Sequence, residues 1–312
     1  MIPQRPFRFG VQASTAADAA SWVALARRVE SHGYSTLTMP DHFGDQLAPV
    51  PALMAAADAT TTLRVGALVW DNDYKHPVVL AKELATIDVL SGGRLEIGLG
   101  AGWLATDYQQ SGIAYDSNKI RVDRFEEGLT VIKGALSGEQ FSFSGQHYTI
   151  TDYTGLPRPL QAPLPPILVG GGGKRVLTIA AREADIVGIN GNLAAGVIGP
   201  EAIATMTADA VDQKVDIVNA AAGGRLPDLE LNIRVFMVRV TEERQTAIQQ
   251  IADFVQVDPS LVVESPFALI GTPAEMVDDL LRRRERWGFS YIVVGADDVE
   301  SFAPVVAELS GH

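Results

Sequence analysis

No cysteine occurs among the 312 residues, which excludes disulfides, thiolate metal sites and cysteine nucleophiles and fits a reducing compartment. Positive charge is also scarce. Twenty-five Lys and Arg against 38 Asp and Glu leave a net charge of −13, an argument against a nucleic-acid partner and against an anionic membrane surface. No apolar run approaches the length of a bilayer-spanning helix. The opening MIPQRPFRFGV has no apolar core, twin arginine or cleavage site of an export signal, so the expected location is the cytoplasm. There is no GxSxG nucleophile elbow, and histidines number five. His32 ends a helix, His76 precedes a proline, His147 falls in a hairpin and His312 is the last residue. No two histidines share a ligand-like spacing, and no metal site is expected. Asp71, Asn72 and Asp73 read either as an exposed polar loop or as ligands for a hard cation.

What is present is a rhythm. Apolar strands are expected at Phe7–Val11, Ser35–Pro40, Arg64–Trp70, Arg94–Leu99, Pro166–Val169, Asp185–Ile189, Leu229–Val240 and Tyr291–Val294. Helical patterns lie between them, one starting at Thr15 with Asp18 three residues on, one at Pro77, one over Glu201–Ala221 and one at Thr272-Pro273 with Glu275. The fourth and fifth strands are separated by a helix near Asn118–Leu136 and the hairpin pattern GEQFSFSGQHYTI, an insertion over about residues 104–164. Eight alternations of strand and helix favour one closed (β/α)8 barrel over residues 1–312, an α/β fold whose active site belongs at the carboxyl ends of the strands.

Those ends carry few reactive groups. Asp41 and His42 follow the second strand, where His42 suits proton transfer or the pair merely caps the next segment. Gly98, Gly100 and Gly102 around the fourth strand end form GxGxG, leaving room for a flat ligand or making only a tight turn; the spacing is not that of a dinucleotide-binding GxGxxG. Gly170–Gly173 followed by Lys174 and Arg175 resembles a phosphate cradle without the Ser or Thr of a P-loop, or else a flexible turn with two solvated bases. Trp103 either roofs a pocket or is core. The seventh strand is expected to end at Arg239 or Thr241.

PDHF at Pro40–Phe43, HPVVLAKELATIDVLSGGRLEIGLGAGW at His76–Trp103, DRFEEGL at Asp123–Leu129, ILVGGGG at Ile167–Gly173 and ADIVGIN at Ala184–Asn190 together resemble the luciferase-like monooxygenase superfamily, and more closely its coenzyme F420-dependent branch. The resemblance covers nearly the whole chain. It implies a TIM barrel holding the deazaflavin coenzyme, with Asp41 on the deazaflavin and His42 as the catalytic acid/base. It further implies coenzyme contacts from Ala67, Leu68, Trp70, Ala101, Gly102 and Thr106, and phosphate contacts from Gly172, Gly173 and the amides of Arg175 and Val176. A non-proline cis peptide is implied near Ala67 and Leu68, a substrate pocket at Trp103 and Asn190, and a homodimer. The sugar-phosphate dehydrogenases of the branch carry a glutamate where Trp103 stands and a lysine where Leu193 stands, so a small, more apolar substrate is implied here. The alternatives are an FMN-dependent monooxygenase using the same cleft, and a coenzyme-binding protein without catalysis.

Overall fold

The computed structural model describes residues 4–312. Polar and apolar residues alternate along Arg8–Gln12 (β1), so Phe9 faces outward onto Phe302 of the carboxyl-terminal helix while Arg8 turns inward over the ring of Tyr291. Other staves, such as the β-strand IVGI at Ile186–Ile189, are short apolar runs buried on both faces, as strands of a parallel barrel are. Thr36–Met39 (β2) and Arg64–Ala67 (β3) follow β1, Trp70–Asp71 (β4) continues β3, and Leu95–Gly100 (β5) pairs with both. The non-proline cis peptide lies between Leu68 and Val69, one bond beyond the expected place, and divides the expected third strand into β3 and β4.

The insertion holds the helices Ala105–Ser111 and Asn118–Leu136 and an antiparallel hairpin of Gln140–Ser144 (β6) and Thr149–Thr154 (β7). Ile167–Gly171 (β8), Ile186–Ile189 (β9), Glu230–Arg234 (β10) and Phe289–Gly295 (β13) complete the ring, all in parallel, and the β3–β5 pairing closes it as an eight-stave (β/α)8 barrel. Leu168, Ile186, Tyr291 and Val293 pack inside it, while the larger core lies between strands and helices.

Three expectations need correction. The seventh strand does not run to Val240: β10 stops at Arg234, and Met237–Val240 (β11) leaves the ring to pair with Ala268–Gly271 (β12) in a separate two-stranded sheet. The residues at that barrel mouth are therefore Arg234 and Phe236, not Arg239 or Thr241. The first helix starts at Ala19, because Asp18, not Thr15, accepts the Ser21 amide in a capping box. The expected helix over Glu201–Ala221 is two, Pro200–Ala204 and Ala208–Ala222, with Thr207 capping the second. Thr272 and Glu275 do form the expected box, and Gly288 ends that helix in the left-handed conformation.

Candidate active site

A cavity of about 710 Å³ opens at the carboxyl ends of the strands. It is lined by Asp41 and His42, by Leu68, Ala101 and Gly102, by Gly172, Gly173, Arg175 and Val176, and by Trp103 and Asn190. Ala67, Trp70 and Thr106 do not line it. Ala67 and Trp70 belong to the core between strands and helices, and Thr106 is exposed on its short helix.

The carboxylate that serves His42 is not its sequence neighbour. His42 Nδ1 lies 2.6 Å from Asp107 Oδ2, and that same oxygen accepts the Tyr74 hydroxyl at 2.9 Å. The amide of Phe43 donates to the other Asp107 oxygen at 3.3 Å. A buried carboxylate on Nδ1 holds the proton there and leaves Nε2, which has no protein partner among the described residues, as the ring's free nitrogen. The Trp103 ring stands edge-on to His42 at 5.6 Å and limits its rotation. Asp107 sits in the first turn of the Ala105–Ser111 helix, where an acid ordinarily complements the helix dipole, so its sequence context does not distinguish it.

Asp41 turns instead to the backbone, accepting the Asp71 amide at 3.2 Å; burial raises its pKa. Asp71 and Asn72 are buried, not an exposed loop, and Asp73 is tied to Arg124 at 2.7 and 2.9 Å. The Tyr108 hydroxyl sits 3.1 Å from both Asp71 Oδ2 and Asp73 Oδ2. Burial, with the charges of Asp73 and Asp41 beside it, pushes Asp71 up to about 7 despite hydrogen bonds from the Asp73 amide and Tyr108.

Opposite these acids, β8 ends in glycines. A Cβ on Gly172 would run into the backbone of Asn190 and Gly191, whereas one on Gly173 would meet nothing, so the chain is closely packed at one glycine and open at the next. Gly173 caps the helix Lys174–Glu183 without any side chain, so the first amides of that helix lack a side-chain partner. Arg175 is held away on Asp123 and on Glu126 at 2.8 Å, consistent with a contribution through its amide. The Asn190 loop is fixed from behind by Lys214, which donates to Asn190 O at 2.7 Å and Thr205 O at 2.5 Å; burial pulls this lysine down to about 8.

Sequence reasoning missed Arg234. Its Nε donates to Gln12 Oε1 at 3.1 Å, and Gln12 in turn donates to Leu68 O at 2.9 Å. Burial pulls Arg234 down to about 10, with Asp298 opposing. A signal existed: Glu230, Asn232 and Arg234 alternate with apolar residues, and the unbroken run Val235-Phe236-Met237 ends that alternation.

Residues 5–258 match the family model of the luciferase-like monooxygenases. The chain belongs to that family. Among its relatives it is 31% identical over 198 residues to the FMNH(2)-dependent dimethylsulfone monooxygenase of Pseudomonas putida, covering 63% of this chain and 50% of that one. It is also 31% identical over 189 residues to the F420-dependent glucose-6-phosphate dehydrogenase of Nakamurella multipartita, covering 58% and 55%. The matches span about half the length of these curated relatives. The F420-dependent tetrahydromethanopterin reductase of Methanopyrus kandleri superposes with a TM-score of 0.77 over 98% of both chains at 18% identity, a likeness of fold.

Proposed function

We propose that this chain is a coenzyme F420-dependent oxidoreductase acting on a small organic substrate with a largely apolar body. The carrying observation is that His42, fixed on Asp107 with Nε2 free, shares one cavity with the glycine cradle of Gly170–Gly173. The residues fit such a coenzyme. The open backbone at Gly173 and the uncapped amides of Arg175 and Val176 suit a phosphate, and Leu68, Ala101 and Gly102 offer small or apolar surfaces to a planar ring. When bound, the deazaflavin exchanges a hydride at C5 with the substrate. His42 gives or takes the accompanying proton at Nε2, Asp107 steadies the ring and its charge, and Trp103 packs edge-on against the imidazole. The expected assembly is a homodimer.

The second reading is an FMN-dependent monooxygenase using the same cleft. The likeness to the dimethylsulfone monooxygenase supports it, and the cradle suits either phosphate. Titrating the protein with F420 and with FMN while following intrinsic tryptophan fluorescence separates the two. Binding of F420 about tenfold or more tighter than FMN is expected; the reverse order would favour the oxygen-using reading and sink the first.

A further inference from the structure

Four cationic side chains line the cavity, and three of them sit at its outer rim. Lys119 pairs with Asp123, Arg175 with Asp123 and Glu126, and Lys174 is exposed to water. Arg234 differs. It lies at the end of β10, mostly buried, in the partition between the main cavity and a second, more polar one of about 440 Å³. Among the described residues no carboxylate comes within 4.0 Å of its guanidinium. Its nitrogens are satisfied unevenly. Nε donates to Gln12 and Nη1 to the carbonyls of Val235 and Val293, while Nη2 has no hydrogen-bond partner. Asp298, half-buried beyond Gly295, is its one opposing charge and stands too far off to form an ion pair. The face of Phe236 lies 5.5 Å from the guanidinium and continues with Ile198 as an apolar rim.

A partly desolvated guanidinium without an ion-pair partner gains from an added negative charge, and this wall offers it only the distant Asp298. We propose that Arg234 is the specificity-determining anchor for the substrate's carboxylate, and that the substrate class is an apolar organic acid whose hydrocarbon part lies among Trp103, Ile198 and Phe236. Nη2 supplies the free donor, beside Gly295 where the two cavities meet, and the bond that Nε donates to Gln12 fixes the plane of the guanidinium. This rests on the oxidoreductase reading above for the word substrate, but not for the anion site itself.

The test uses benzoate, with neutral benzyl alcohol as its control, titrated by calorimetry into the full-length protein with and without F420. Benzoate should bind about 10- to 100-fold tighter than benzyl alcohol, the range expected for one charge-assisted hydrogen bond. Arg234→Met should bring the two to parity, Arg234→Lys should keep part of the preference, and F420 affinity should change by less than about twofold in both. Thermal melts check that the variants fold, and Arg234→Gln serves if Met does not. A benzoate preference that survives in Arg234→Met overturns the proposal. So does a variant that loses F420 and keeps benzoate, since the cation would then serve an oxygen of the coenzyme ring. If the wild type binds benzoate selectively but not F420, the anchor stands and the F420 reading fails.

Discussion

Arg8 and Arg234 both point into the barrel, one at the amino ends of the strands and the other at the carboxyl ends, and their surroundings differ. Arg8 meets Glu96 at 2.6 Å and Glu230 at 2.7 Å, and Arg64 completes the group by binding Glu96 at 2.8 Å. Burial alone would lower the Arg8 pKa, yet Glu96, Tyr291 and Glu230 together raise it. Arg234 is lowered, because burial acts on it with only Asp298 in opposition. The amino end is thus a finished plug in which every charge has its counterpart. The carboxyl end keeps Arg234, Asp41 and Asp71 in environments that oppose their charged forms, beside glycines that leave space unfilled. Charges are matched at one end and left without ion-pair partners at the other, the division that an active site at the carboxyl ends of barrel strands would lead one to expect.

The sharpest way to break this contrast is to replace one group at each end. His42→Ala should cut turnover by about 10² to 10⁴-fold at a smaller cost in unfolding free energy than the Glu96 change below, because Asp107 keeps the Tyr74 hydroxyl and the Phe43 amide; steady-state kinetics and urea melts on the same preparation decide it, and unaltered turnover removes His42 from the proton step. Glu96→Ala should do the opposite, costing about 3–5 kcal/mol in urea unfolding, because two arginines lose their buried acceptor. A loss below about 1 kcal/mol would show that the plug is no structural asset.

The pH dependence sharpens the comparison further. Asp71 titrates near 3.8 in the unfolded chain and near 7 in the folded one, so between these values the folded state holds the extra proton and stability falls as pH rises. The contribution is at most about 4 kcal/mol. Asp71→Asn stays neutral throughout and should flatten the profile between pH 4 and 7; parallel profiles for variant and wild type would contradict the assignment. The smallest effect is expected from Arg234→Met, whose unfolding free energy should stay within about 1 kcal/mol of the wild type or rise, since it removes a charge with no ion-pair partner. A loss like that of Glu96→Ala would mean that the two arginines are alike after all.

Much of this was legible beforehand, for reasons that can be named. The eight staves follow from short apolar runs, some alternating and some continuous, set between helical patterns, and the cradle from four consecutive glycines before a helix, all local patterns. The His42–Asp107 contact joins residues 65 apart, one in a loop and one in the first turn of a helix, and no spacing encodes it; the sequence pairs His42 only with its neighbour Asp41. The resemblance implies a coenzyme contact from Trp70, and the structure places Trp70 in the outer core while Leu68 and Val69 pack with the inner cluster. The departure of β11 was missed because Leu229–Val240 is apolar enough to read as one strand, and only the partner β12, about thirty residues on, shows where it goes.

That departure has a consequence for how new chemistry could arise on this scaffold. Ala247, Ile248, Ala252, Val262, Ala268 and Ile270 bury one another in a cluster separate from the main core. The segment from Phe236 to Gly271 thus carries a small interior of its own, while Phe267 and Leu269 tie it to the main core. Changes confined to that small interior would reshape the doorway at Phe236 while sparing the hydrogen bonds that close the circle, provided Phe267 and Leu269 keep their places in the main core.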